Sequence, residues 1–405
     1  MRRIGVYGVG TGINGRDAAM QATQRALDQV GTSRPVLALV LIAQEFNINE
    51  VLAGLTSLLG ETPLWGFSTL CPLTNSGDQP RSVVVALLTG SDFQASVNWF
   101  PGYVQDSTAT ARQLAHDLRQ DVFLPQHILI AADGINGSLL PVCSALSDLQ
   151  VSVAGCMAAG DPSMGKTFQL GKNQAGPGGL AAARLGGRFR VGVGMAQGWH
   201  DLGVYFHATR TRDVWLQTLD GVSAAETYAR LFGYAPREWA FPPLTDMARL
   251  YPLGVEVPTE GDVQAFVQTD PANLLIRSAL RVEVDGSLRM SAPVPEGAVV
   301  HLMSGDPDTC LRAARSAARQ ALDSLEKGAR PILALVLVDA AWQLLFESRP
   351  KALAEAISVE LKTAYTDFPL VGAYTFGQLI RPALDQAPIL HNQNLAVLVI
   401  AEAQE

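Results

Sequence analysis

Charge is what this chain has least of. Asp, Glu, Lys and Arg make up only 17% of its 405 residues, the acidic ones outnumber the basic by 38 to 30, and Lys and Arg nowhere cluster. Phosphate-backbone binding rests on clustered cations, so nucleic acid is not an expected partner. Cysteine is scarce as well: Cys71, Cys143, Cys156 and Cys310 stand far apart with no CxxC spacing. That removes the pattern of a zinc site or a disulfide framework and leaves reduced, partly buried thiols as the expectation. Long apolar runs are missing too; the longest hold about eight residues, against the ~20 that a membrane helix needs. In the opening MRRIGVYGVGTG, glycine interrupts the apolar residues before a signal-peptide core forms. The expectation is a cytoplasmic protein with no membrane contact.

Catalytic patterns are absent in the same way. The histidines at 116, 127, 200, 207, 301 and 391 form no HExxH, there is no GxSxG elbow, and Cys156 has no histidine near it. No catalytic residue, metal or cofactor is expected, and the chain is not read as an enzyme. Apolar residues, by contrast, make up 48%, with 37 glycines and 23 prolines, a balance that fits a well-buried α/β protein with many tight turns. A chain of this length is expected to hold two or more domains.

The most informative feature is repetition. RPVLALVLIA at 34–43 returns as RPILALVLVD at 330–339, each a continuous apolar run of buried-strand type. Around each the same order can be read: strand, helix, strand, helix, strand, strand. A more diverged copy runs from ASVNWF through HILIAAD and VSVAGCM to GGLAAARL. The fold class expected is therefore α/β, with duplicated βαβαββ units forming mixed sheets with flanking helices. Between the second and third copies the texture changes to short alternating strands, GVYFHATRT, VWLQTLDG, VQAFVQ and LLIRSALRVEVDG. Two closely packed domains are expected, 1–200 with two units and 201–405 with the β-rich segment followed by the third.

Each unit ends its third strand in a glycine-containing turn and a long loop, and loops at the carboxyl ends of α/β strands are where small ligands sit. Charged candidates in such segments are Asp133, Asp161, Arg277 and Arg381. An arginine forks a carboxylate and an aspartate accepts from an ammonium group. Two nucleotide patterns also occur. GTGING at 10–15 has the GxGxxG form after a strand and before a helix, with Glu45 as a ribose partner. GDPSMGKT at 160–167 matches the phosphate loop by letter, but glycines and a proline follow where a helix is required. A nucleotide-binding enzyme using the first of these is one alternative reading, and a protein-interaction scaffold is another.

With PLWGFST and VAGCMAAGD in the first half, and LDGVSAAETYARLFG, YPLGVE, LLIRSALRVEVDGSLRMSAPVPEGAVVHLM, PLVGAYTFGQL and ILHNQN in the second, the chain resembles FIST domain proteins over nearly its whole length. The resemblance implies FIST N and FIST C regions, a sensory module in signal transduction, and a small ligand, with amino acids the suggested class and a signalling protein as an unidentified partner. The ligand is expected in a cleft formed by the glycine-turn loops, with the binding residues at Asp161, Arg277, Tyr374, Gly377, Gln378, Arg381, His391 and Asn392. Arg277, Arg381 and His391 are assigned to an anionic group and Asp161 to a cationic one. The chain departs from the family pattern at Gln378, where a glutamate is common, and at Asn394, where a threonine is.

Overall fold

A computed structural model of the chain describes residues 5–90, 92–120, 125–234, 247–248, 250–256, 274–365, 369–381 and 383–403. By contacts among its residues the chain divides into two compact units. The first gathers Met1–Ala196, Ala313–Leu390 and Leu395–Glu405; the second gathers Gln197–Arg312 and His391–Asn394. The division follows no single cut in the sequence, because the α/β residues after 313 fold with the first 196.

In chain order, the first unit opens with β1 (Gly5–Gly10), β2 (Pro35–Ala43), β3 (Leu64–Thr69), β4 (Pro72–Thr74), β5 (Gly77–Asp78) and β6 (Val83–Thr89). Then come β7 (Phe93–Phe100), β8 (His127–Ala132), β9 (Ser152–Met157), β10 (Phe168–Gly171), β11 (Gln174–Pro177), β12 (Leu180–Gly187) and β13 (Phe189–Ala196). The second unit takes β14 (Trp199–Arg212), β15 (Trp215–Leu219), β16 (Val222–Ser223), β17 (Leu253–Val255), β18 (Leu275–Arg277), β19 (Ala279–Val282), β20 (Leu288–Met290) and β21 (Val299–Gly305). The chain closes with β22 (Arg330–Asp339), β23 (Leu370–Thr375), β24 (Gly377–Ile380), β25 (Ile389–His391) and β26 (Leu395–Glu402).

The protein is thus mixed α/β with several mixed sheets. Three are six-stranded, in the orders β1-β6-β2-β3-β10-β11, β7-β12-β8-β9-β24-β25 and β13-β26-β22-β23-β4-β5. The pairs β2–β3, β8–β9 and β22–β23 are parallel. In each sheet a hairpin from another stretch of chain completes the edge. Strand β10 joins β3 with Gln169 opposite Phe67, β24 joins β9 with Gly377 opposite Met157, and β4 joins β23 with Thr74 opposite Val371. The sequence reads PLT and GQLI as parts of long loops and FQLG as a hairpin strand; the pairing of each to its distant sheet is non-local.

Alternate residues of all three sheets meet in one core. Leu37, Leu39 and Leu41 of β2, Leu129 and Ala131 of β8, and Leu333, Leu335 and Leu337 of β22 belong to it, with Trp65 edge-on to Phe67 and Phe93 stacked on Phe189. Burying each such side chain contributes roughly 1.5–3 kcal/mol, and helices cover the opposite faces, which is why these strands are apolar throughout. Helix α1 (Gly15–Val30) starts at Asn14, whose side chain accepts from the Asp17 N–H, and buries Ala18, Ala19, Ala22 and Ala26. Small residues on both sides let it lie close: a Cβ on Gly10 would sit 1.9 Å from the Ala18 carbonyl oxygen, and one on Gly8 2.1 Å from that of Ala22. The helix Pro307–Asp323 meets Gly192 and Gly194 of β13 at 2.0 Å in the same way.

The second unit is built on an eight-stranded sheet, β18-β17-β21-β14-β15-β20-β19 with β16 on β15. A short helix, Ala224–Leu231, supplies Tyr228 to its core beside Leu216, Leu219 and Val300. The expected strand VQAFVQ at 263–268 lies outside the described residues. Among the described residues no helix is long and apolar enough to cross a membrane, and all four cysteines are buried as free thiols.

Candidate functional site

The two nucleotide patterns fold locally into something else. The Gly15 N–H at the start of α1 donates to Glu50 Oε2 at 3.0 Å, so a carboxylate already stands where an anion would bind. Strand β6 lies between β1 and β2 and is antiparallel to both, whereas a dinucleotide fold pairs the two strands flanking the first helix directly. In the second pattern, Asp161 Oδ1 accepts from the Ser163 N–H at 2.8 Å and caps the single turn Pro162–Met164. After Lys166 and Thr167 comes strand β10, not a helix. The Thr167 hydroxyl donates to Asp133 Oδ2 at 2.9 Å.

Asp133 is buried and accepts also from the N–H groups of Ile135, Asn136 and Gly178. Thr167 Oγ1 in turn accepts from Gly134 N–H and Gln169 Nε2. The network is self-satisfied, and it anchors the 160–167 loop to the end of β8.

The strand-end loops of the first unit are stitched to one another. Ser68 Oγ donates to the Ala159 carbonyl at 2.9 Å, Thr69 Oγ1 donates to that of Tyr374 at 2.7 Å, and Phe376 N–H donates to that of Met157. Tyr374 is buried and its hydroxyl donates to Asp78 Oδ1 at 3.2 Å. Burial pushes the Asp78 carboxyl up to about 6 although that hydrogen bond opposes the shift, and burial, then Asp78, pushes the Cys71 thiol up to about 12. Nothing local in the sequence marks Asp78, a carboxylate that a distant tyrosine covers.

Of the other candidates in this unit, Gly377 and Gln378 are buried in β24, and Gln378 Nε2 donates to Thr375 Oγ1 at 2.9 Å. Arg381 is buried with its guanidinium donating to the carbonyls of Leu146, Ser147 and Leu384. Leu146 and Ser147 follow the short helix Leu140–Ala145, whose exposed carbonyl end suits a cation. Asp161 is fully exposed, and the Ser163 bonds hold its carboxyl below the usual range.

In the second unit Arg277, His391 and Asn392 come together. Arg277 ends β18 with its guanidinium buried, and Nη1 donates to Asn392 Oδ1 at 3.2 Å and to the Ile276 carbonyl at 3.0 Å. His391 is 8% exposed, and its Nε2 is buried with no hydrogen-bond partner among the described residues. Burial, then the Arg277 charge, lowers its pKa to about 3, so the ring is neutral at physiological pH. Gln393 holds the segment in place with φ of 55°. Its Nε2 donates to Ser278 Oγ and to the Ala248 carbonyl, and its own carbonyl accepts from Trp199 Nε1 at 2.7 Å. Ser278, Trp199 and Gln393 were not singled out from the sequence, although Ser278 adjoins Arg277 and Gln393 lies within ILHNQN. Among the described residues no group of three or more His, Cys, Asp and Glu side chains is placed to hold a metal.

These features belong to a described class. The FIST N domain model matches residues 36–222 and the FIST C domain model matches residues 224–381. The chain belongs to the FIST family, whose domains are associated with small-ligand sensing in signal transduction. No curated protein matches it.

Proposed function

We propose that this FIST protein is a cytoplasmic sensor for a small polar metabolite carrying a carboxylate, amino acids among them, and that Arg277, His391 and Asn392 of the second unit hold that carboxylate. The observation that carries the reading is His391 Nε2, buried and unpartnered among the described residues, next to a buried guanidinium. A buried polar atom left unpaired costs about 1–3 kcal/mol. A ligand oxygen that accepts from Nε2–H while facing Arg277 would recover that cost and meet a positive charge in a site poor in water. Arg381, Gly377 and Gln378 then serve the frame of the first unit and make no ligand contact, and Asp161 is not required. The correspondence of the three six-stranded sheets supports the further reading that they are copies of one βαβαββ unit.

The test is a thermal-shift screen of carboxylate metabolites and amino acids, followed by calorimetric titration of any hit. Ligand stabilisation grows as the logarithm of concentration over Kd. The expected result is a stabilising carboxylate whose affinity falls at least tenfold in His391→Phe and is unchanged in Arg381→Ala. A screen in which no carboxylate stabilises the protein, or a hit that binds His391→Phe equally well, overturns the reading.

A further inference from the structure

The first unit carries a groove of about 570 Å³ that the sensing site does not use. One wall is residues 95–99 of β7; the other is Glu61, Pro63 and the turn between β10 and β11 at 172–174, and Arg184 lies within it. Among the described residues strand β7 is the outermost of its sheet and pairs only with β12.

The phase of that pairing decides what β7 offers. Asp133 N–H donates to the Gly179 carbonyl on the β8 side, and Arg188 N–H donates to the Asp92 carbonyl on the β7 side. In an antiparallel ladder, successive residues turn their N–H and C=O groups to alternate sides. The register pairs Ser96 with Arg184 and Asn98 with Ala182, so Ser96 and Asn98 face β12 through their backbones. The backbone groups of Ala95, Val97 and Trp99 therefore point away from β12 into the groove, and they have no hydrogen-bond partner among the described residues.

The side chains add chemistry to this open edge. Ala95, Val97 and Trp99 face the core, and Trp99 is fixed there, since a Cβ on Gly179 would meet its ring at 2.3 Å. Ser96, Asn98 and Arg184 share the other face, where Arg184 Nη2 donates to Asn98 Oδ1 at 2.7 Å. Ser96 Oγ is buried there with no partner among the described residues. Lys172 adds a second cation at the opposite wall, while Glu61 accepts from Asn173 Nδ2 at 3.4 Å.

We infer that this groove takes an extended segment of a partner protein, alternating apolar and acidic residues, which adds as a further strand along β7. Main-chain pairing to Ala95, Val97 and Trp99 supplies the affinity, as in other edge-strand additions. The acidic side chains fall on the face of Arg184, Asn98 and Ser96, and the apolar ones continue the face of Ala95 and Val97. Five residues, about 16 Å of strand, cover the three outward backbone positions.

The probe is the fluorescent peptide acetyl-Val-Glu-Val-Glu-Val-amide, titrated by anisotropy against the full chain. Two N-methylated versions block alternate amides; one is expected to bind at least tenfold more weakly and the other unchanged, because only alternate N–H groups face β7. Replacing both Glu by Lys is expected to weaken binding at least tenfold. Hydrogen exchange at Ala95, Val97 and Trp99 should slow when the peptide is bound. Ala95→Pro removes one outward N–H at an edge position where proline is tolerated, and should weaken binding at least tenfold with the melting temperature nearly kept. No saturable binding at millimolar peptide, equal loss with both N-methylated peptides, or a dimer that Ala95→Pro converts to monomer would each overturn the inference.

Discussion

Replacing Asp133 by alanine tests whether the phosphate-loop lookalike is a structural clasp. The carboxylate is 1% exposed and accepts from Ile135 N–H at 3.1 Å, Asn136 N–H at 2.7 Å, Gly178 N–H at 3.3 Å and Thr167 Oγ1 at 2.9 Å. Asp133→Ala strands all four donors, and each buried donor left unpaired costs about 1–3 kcal/mol. The Thr167 hydroxyl can rotate and the Gly178 bond is long, so most of the loss comes from the two short-range amides, for a total of about 3–5 kcal/mol. The first unit holds about 285 residues, and an unfolding entropy near 2.1 cal/mol/K per residue turns 4 kcal/mol into a fall in Tm of about 7 °C. Asp133→Asn keeps one acceptor oxygen for Ile135 and Asn136 but presents an amide to Thr167 and Gly178, and should lose about half as much. Urea unfolding and calorimetry of the three proteins measure this directly. A cost below 1 kcal/mol for Asp133→Ala, or equal costs for the two variants, refutes the clasp.

Three further outcomes follow from buried groups elsewhere. Gly10→Ala drives a Cβ to 1.9 Å from the Ala18 carbonyl, so α1 must lift from the sheet. A loss of ~1–3 kcal/mol or more in urea unfolding is expected, from a glycine that serves packing and not a cofactor. His127 bonds Ser152 Oγ through Nδ1 at 2.7 Å, and burial lowers its pKa to about 3. Unfolding lets it take a proton, so its stability contribution is complete above pH 6.5 and is lost as pH falls from 6.5 toward 3. His127→Leu should flatten the acid limb of stability against pH by about 1.4 kcal/mol per pH unit in that window. The Asp78 carboxyl is shifted the other way, up to about 6, so the folded state holds its proton more tightly and stability drains away as pH rises from 3.8 to 6. Asp78→Asn should therefore raise the Tm at pH 8 relative to the parent and not at pH 3, as measured by calorimetry.

How much of this could be read from the chain depends on how far each decision reaches along it. RPVLALVLIA and RPILALVLVD are strands over Pro35–Ala43 and Arg330–Asp339, because runs of eight and seven consecutive apolar residues covered on both faces suit a buried strand. The family is legible for a related reason: its motifs are contiguous. Not legible are the strands PLT and GQLI, and the sheet that the hairpin strand FQLG joins; each is short and ends in a different sheet from the strand before it. Nothing within ten residues of Gly377 says that it will sit opposite Met157, so a hairpin read from local signals alone looks like a loop.

The same distance argument sorts the candidate site. Arg381 and Asp161 are candidates from the sequence because charged residues in strand-end loops face solvent or ligand. One instead meets the carbonyls beyond Ala145 more than 230 residues away in sequence, and the other caps its own turn. Arg277 and His391 are 114 positions apart, so their meeting depends on the fold alone. Burial then makes the pair more than two polar residues side by side. Burial, then the Arg277 charge, forces the imidazole neutral, and its Nε2 is buried with no hydrogen-bond partner among the described residues. A sequence shows which residues can carry charge; only the packed structure brings the buried His391 Nε2 beside the Arg277 guanidinium, and the proposed carboxylate ligand rests on that arrangement.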